Sequence, residues 1–434
     1  MTSNINLKKL SERLFFSGIF LLASTLSIGV FLILVASIIS LFCRKENPFK
    51  DNWTIFLIPT SIVMLISCLY QTFSQINKEL IEWNISLTWI GLLNWIPFFY
   101  LFISTKDFLK TNEQRLKVSL LLLLGSIPVL VTGFGQYYLN WQGPISFLKG
   151  LIIWYMKPIE PHLGLSALFS NQNYAGTWMS LIWPLLLGLY FVNKDNIYKS
   201  IINLLFIFLL TFAIILTTSR NALISFLFSI PIVLGFKSLL IILTILIFLI
   251  FLFYFQTIFL LSEELFSLIT NIFPQQFFDK FKKFNLINIL EYRRINLWKE
   301  SISLISTKPL FGIGAAAFPI LYQIYYQPED YTEQHTHNLF LEISAGYGFI
   351  ASTMIFLFIF TIIFCAWRKI SGGKFSSKEL IINKSWLASS VVVLISQMND
   401  ITYYDARISV MFWIFLSGLR NIIISKGIEK KLDN

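Results

Sequence analysis

Residues 14–42 read LFFSGIFLLASTLSIGVFLILVASIISLF. The run is uncharged and longer than the roughly 20 residues a helix needs to cross a bilayer. Ser24, Thr25, Ser27 and Gly29 sit at its centre. It is either one long helix or two short ones joined by a tight turn. Flanking charge decides between them. Lys8, Lys9 and Arg13 precede the run, and Arg44, Lys45 and Lys50 follow it. Lys and Arg concentrate in the cytoplasmic loops of membrane proteins. Only a hairpin puts both clusters on that side, so the run is expected to fold back on itself.

Outward from this stretch the pattern repeats, at about 53–73, 85–105, 116–136, 174–192, 199–217, 221–236, 238–261, 343–367, 380–398 and 406–424. Run 221–236 is short and carries Pro231, and Lys237 separates it from the next. Charged residues make up 13% of the chain, against about 25% in a soluble domain. The runs are long and do not alternate, which selects helices over a barrel. Basic clusters at Lys106/Lys110/Arg115/Lys117, Lys194/Lys199, Lys237, Arg368/Lys369/Lys374/Lys378/Lys384 and Arg420/Lys426/Lys430/Lys431 join the first two on one side. The expected fold is an all-α integral membrane protein with about 12 transmembrane helices and both termini cytoplasmic. Residues 1–434 form a single polytopic domain, with 262–336 a large outer loop carrying amphipathic helices. The net charge of +11 is accounted for by topology-setting Lys and Arg, so the expected partner is the lipid bilayer and not nucleic acid. Cys43, Cys68 and Cys365 make no CxxC pair and no disulfide framework. Run 14–42 is too long for a signal-peptide core and is read as retained.

On this map the unusual polar residues gather on the outer side. SNQNYAG (170–176) opens one helix, and TTSRNA (217–222) joins two spans with almost no loop, leaving Arg220 at the membrane edge. EYRRINLWKES (291–301) reads as an amphipathic helix with Ile295, Trp298 and Ile302 on one face. PLFGIG (309–314), HTHNLFLEISAGYG (335–348) and NDITYYDAR (399–407) follow. These segments would converge on one mouth. Each has a plainer reading: Arg220 as a snorkelling residue, Asn171 and Asn173 as helix caps, Arg293 and Arg294 as solvated charges, His335 and His337 as interfacial packing. GIGAAAF follows no predicted strand and lacks the GK[ST] of a phosphate loop, so no nucleotide site is read there. His-x-His with Glu333 or Glu342 is a poor ligand set, so no metal and no cofactor are expected. Together the residues make chemical sense. Arginines form a permanently charged clamp for diphosphate oxygens, and a histidine can take a proton from an attacking hydroxyl. Clamp, base and membrane entrance describe glycosyl transfer from a polyprenyl-diphosphate donor.

In order, Asn171-Gln-Asn173-Tyr-Ala175, Thr217-Thr-Ser219-Arg220, Arg294-x-x-x-Trp298, Pro309-Leu-Phe-Gly312-Ile-Gly314 and His337-Asn338-x9-Gly348 resemble the motif set of the O-antigen ligase / O-antigen polymerase superfamily of bacterial inner-membrane proteins. The resemblance implies a metal-independent, inverting transfer at the periplasmic face. A glycan on undecaprenyl diphosphate would be attacked by an acceptor hydroxyl, on lipid A core for a ligase or on another glycan repeat for a polymerase. By position, His337 would be the base, and Arg220 and Arg294 would hold the diphosphate. Asn338 and Glu342 would position His337, with Asn173, Arg293 and His335 completing the substrate site. Asn221 stands where the family has Gly; Asn tolerates left-handed backbone, so the turn is expected to survive through it. Ala351 stands where a second glycine often follows Gly348. The rival from another class is a transporter of a small anion such as bicarbonate. It calls for inverted repeats and midplane charges, and neither stands out in the sequence.

Overall fold

The computed structural model describes residues 2–44, 51–74, 83–159, 163–240, 242–244, 293–326 and 333–425. Run 238–261 beyond residue 244, and the first part of the expected loop, 262–292, lie outside the described residues. What is described is predominantly helical. Nine helical stretches are long and apolar enough to cross a membrane, and Arg220–Leu234, with 15 residues, is a shorter apolar helix.

The run 14–42 is broken. Helix α1 (Thr2–Leu21) and α2 (Leu26–Cys43) flank a turn at residues 22–25. A Cβ on Gly18 would lie 2.7 Å from Ile33, and one on Gly29 2.7 Å from the Leu22 backbone. Residues so far apart along a helix can meet only if the two helices run antiparallel. The small centre of the sequence is what lets their backbones approach.

Next come α3 (Asn52–Phe73), α4 (Ser86–Gly91) and α5 (Ile96–Ser104). α4 and α5 are split at Trp95, ahead of Pro97, whose ring cannot continue a helix but fits its first turn. α6 (Asn112–Gly125) and α7 (Ile127–Leu139) are split in the same way by Ser126 ahead of Pro128. Among the described residues the exception to helix is an antiparallel hairpin, β1 (Ile145–Phe147) paired with β2 (Ile152–Trp154). α8 (Gln172–Val192), α9 (Ile197–Leu216) and α10 (Arg220–Leu234) follow it. Beyond the gap lie α11 (Arg293–Ser306), α12 (Phe318–Tyr326), α13 (Leu339–Tyr347), α14 (Phe349–Gly372), α15 (Ser377–Asn399) and α16 (Ala406–Ile424).

The apolar windows of α8 and α16 are 83% buried, against about a third for α2, α3 and α9. The first two, with α15, are therefore the core of the bundle, and the others face outward. Gly188 of α8 packs on Ser385 of α15, and Gly418 of α16 on Trp386, the close helix approach that small residues permit. α11 is amphipathic as expected, but on a different face. It buries Leu297, Ser301 and Leu304, while Ile302 is half exposed. Trp83, Ile313 and Phe318 supply the apolar surface it packs against, and that docking sets the buried face.

Arg44, Lys110, Arg115 and Arg420, from three of the basic clusters, lie at one end of the bundle. Asp107 accepts from Arg44 at 2.6 and 2.8 Å and pairs with Lys110 at 2.7 Å. Arg420 pairs with Asp51. Arg115 donates to Asn383 and Asn112 to Glu379. α15 runs from this end to the opposite one, where residues 396–400 receive the polar segments described next.

Candidate active site

The end of α15 is a docking point. Asn221 donates to Ser396 O at 2.8 Å, Asn338 to Met398 O at 3.1 Å, and Arg294 to Asn399 O. Four segments distant in sequence are thus tied together, because the last carbonyls of a helix lack intrahelical donors and take side-chain ones.

Asp400 follows directly in extended backbone and is buried. Its Oδ2 accepts from Asn173 Nδ2 at 2.6 Å; its Oδ1 takes the Ile401 N–H at 2.9 Å and faces His337 Nδ1 at 2.9 Å. The other ring nitrogen of His337, Nε2, faces Glu333 at 3.1 Å. A ring with a carboxylate on each nitrogen can donate from both only as the imidazolium, the form this pair of neighbours favours. Burial opposes that charge, and Arg294 nearby opposes it further, but the bonds to Asp400 and Glu333 prevail and raise the His337 pKa above its ordinary value. Burial likewise opposes charge on Asp400, yet His337 and Arg294 hold its pKa below the usual carboxylate range.

Local sequence explains these positions. Asn171 caps α8 by accepting from Asn173 N at 2.7 Å, which leaves the Asn173 side chain aimed at Asp400. Asn338 caps α13 by accepting from Leu341 N at 3.2 Å. Just before that cap His337 adopts left-handed backbone, φ 51°. Glu342 closes the turn: Oε2 accepts from Thr336 N at 3.0 Å and Oε1 from the Tyr404 hydroxyl at 3.0 Å. Burial raises the Glu342 pKa, partly offset by the Thr336 N–H. PLFGIG braces the far end of α13. Ile313 N donates to Ala345 O, and Phe349 N to Pro309 O. A Cβ on Gly312 or Gly348 would strike this backbone, and both glycines have positive φ.

His335 lies edge-on to His337, ring centroids 4.3 Å apart. Its Nδ1 is buried and has no hydrogen-bond partner among the described residues. Burial, then the charge of His337, push its pKa down to about 4, so it is neutral at pH 7. Arg220 heads α10 at this same end and is exposed. The left-handed residue of its turn is Thr218, φ 52°. Asn221 lies instead in the first helical turn, so its expected left-handed role is corrected: its amide anchors α10 to α15. Arg293 opens α11, and its side chain lies outside the described residues.

Ligand atoms of His335, His337 and Asp400 lie within 4.8 Å of one another, close enough to hold a divalent cation. Such an ion would break a bond His337 already makes, since both its nitrogens face carboxylates.

Asp400 carries no role in the sequence reading, and Glu333 appears there only as a metal candidate. The available signal was an acid just beyond the last apolar residues of a span, where an unpaired carboxylate is costly.

A family model described as O-antigen ligase matches residues 205–357. That stretch contains Arg220, Arg294, His335, His337, Asn338 and Glu342, and excludes Asn173 and Asp400. No curated protein matches the chain.

Proposed function

We propose that this multi-pass membrane protein, whose residues 205–357 match a family model described as O-antigen ligase, belongs to that superfamily and transfers a glycan from undecaprenyl diphosphate to an acceptor hydroxyl. The observation that carries the reading is His337 held between Asp400 and Glu333 with Arg294 beside them. The acceptor hydroxyl gives its proton to His337 once that ring has lost its own proton to solvent. The freed oxygen attacks the anomeric carbon from the face opposite the leaving group. The bond from that carbon to the diphosphate oxygen breaks with inversion, and undecaprenyl diphosphate departs with the electron pair. Arg294 and Arg220 hold the developing negative charge, as fixed cations do in a water-poor site. Asn173 and Asp400 orient the imidazole, Asn338 and Glu342 fix the turn that carries it, and His335 lines the acceptor side; Arg293 is proposed as a further substrate contact on the family resemblance alone.

This reading places the site at the periplasmic face of a bacterial inner membrane, in a single domain with both termini cytoplasmic and twelve spans. The acceptor is lipid A core or another hydroxyl; transfer to a further glycan repeat, which is polymerisation, is the alternative. The family match lends no support to transport of a small anion.

The test is lipid and glycan analysis of a deletion strain complemented with wild type, His337→Ala, Arg220→Ala or Arg294→Ala at matched expression. Unattached long chains identify a ligase and single repeats a polymerase. Unchanged envelope glycans in the deletion strain, under conditions where the wild-type protein is made, would sink the proposal.

A further inference from the structure

The hairpin at Ile145–Trp154 has an unusual surface. Its strands and tip expose Ile145, Phe147, Leu148, Leu151 and Ile153, with Leu148 65% accessible. Both faces are apolar, and Ser146 and Lys149 are the only polar side chains from 145 to 154. An isolated two-stranded hairpin is marginal in water, and an exposed apolar patch on this scale marks an interaction surface.

Its attachment says what covers it. Ser27 Oγ donates to Leu151 O at 2.8 Å, and Trp154 Nε1 to Ser24 O at 2.8 Å. The tip therefore rests on the turn between α1 and α2. Ser27 heads a stripe of α2 that continues through Phe31, Leu34, Ile38 and Phe42, all exposed and spaced at helical intervals. α2 is a candidate membrane span, so this stripe faces lipid. The hairpin lies across the end of that stripe and extends its apolar surface sideways. Trp141, Tyr138 and Tyr155 beside it are exposed, the residue types that settle at the level of lipid headgroups. Lys149 at the tip and Lys157 past the stem suit the phosphates there.

We propose that this hairpin is an interfacial anchor, lying in the headgroup and upper acyl region of the leaflet nearest His337, with phospholipid as its partner. It is also coupled to the site. Met156 N donates to Ala167 O, and Tyr155 N to Leu168 O. Gln136 clamps the same segment by accepting from Ser166 N and Ala167 N. Three residues later Asn171 caps α8, and Asn173 reaches Asp400. The anchor thereby sets the depth of the Asn173–Asp400–His337 array relative to the headgroups. The proposal stands apart from the transfer reading, because its test reads lipid exposure and not activity.

The experiment uses the full chain with Cys43, Cys68 and Cys365 replaced by alanine, and a nitroxide on Leu148→Cys or, separately, Leu151→Cys. The protein is reconstituted in phosphatidylethanolamine–phosphatidylglycerol vesicles. Lys194→Cys, exposed between α8 and α9, is the aqueous control. The expected result is oxygen collision several-fold above the control, and access of a water-soluble nickel complex several-fold below it, at both positions. Nickel access equal to the control would overturn the proposal, since the hairpin would stand in water. Low access to both reagents would overturn it too, since protein would then cover the hairpin. Two label positions guard against one of them disturbing the fold, which matched elution of the labelled and unlabelled protein checks.

Discussion

At one end of the bundle Asp107 is gripped by Arg44 and Lys110, and Asp51 by Arg420. At the other, Asp400 and Glu333 hold His337. Both arrangements bury cations beside carboxylates. The first uses guanidinium groups, which stay charged at any pH a cell meets. The second uses an imidazole, whose charge its neighbours decide. The lesson is that similar geometry can be permanent or switchable. The arginine end fixes helices at any such pH, and the histidine end, on the proposed reading, moves a proton.

The sharpest way to break that distinction is to remove one group from each end. His337→Ala is expected to lower transfer by about 10²–10⁴-fold, the usual worth of general acid–base catalysis, while the protein still folds. Glycan transfer in reconstituted vesicles measures it, and near-normal turnover would end the catalytic assignment. Asp107→Ala does the reverse. It leaves Arg44 buried with backbone partners only, which costs about 3–5 kcal/mol. Melting in detergent should show a large loss, while the pH dependence of any surviving activity stays that of wild type.

A smaller effect sharpens the comparison. If neutral His337 is the working base, turnover rises with pH through its raised pKa. Asp400→Asn removes one of the two carboxylate charges that raise it, so the acidic limb of the pH–rate profile should move to lower pH. A limb that stays put would mean the His337–Asp400 bond does not set the titration. Activity that falls as pH rises would mean the imidazolium itself is the working form.

The smallest expected effect is on stability against pH. His337 binds its proton more tightly folded than unfolded. Its contribution is complete below its ordinary pKa of about 6.5 and disappears as pH rises through the folded value. His335 has the opposite sign. Held down to about 4, it contributes fully above its ordinary pKa and loses that contribution as pH falls towards 4. Melting curves from acid to alkaline pH should show His337→Gln flattening the alkaline decline and His335→Gln the acid one. Curves that superimpose on wild type would contradict both assignments.

Much of the bundle was legible because apolar length is a one-dimensional signal. The break in 14–42 could be read from Ser24, Thr25 and charge symmetry, and it lies at Leu22–Thr25. Two local faces were misread. Ile295, Trp298 and Ile302 form a plausible apolar stripe, but Trp83 and Ile313 pack against Leu297 and Leu304 instead, and that surface is invisible in the local sequence. Asn221 was given a left-handed backbone that Thr218 adopts. The hairpin at Ile145–Trp154 went unread, because three-residue strands leave almost no periodic trace. In the site, His337, Arg294, Asn173 and Asn338 come together around the end of α15. Asp400 and Glu333 were not foreseen as partners, since one carboxylate beside a loop forms no pattern until the chain folds.

The backbone at His337 carries a last consequence. Its φ of 51° is one that histidine adopts only under constraint, at a cost of order 1–3 kcal/mol for strained residues of this kind. Glycine or asparagine would sit there more comfortably. Either would relax the backbone but leave Asp400 and Glu333 buried without the ring they share, so the strain is carried for the sake of the imidazole. Anyone breeding a tougher form of this protein should hold position 337 fixed and seek robustness at the arginine end.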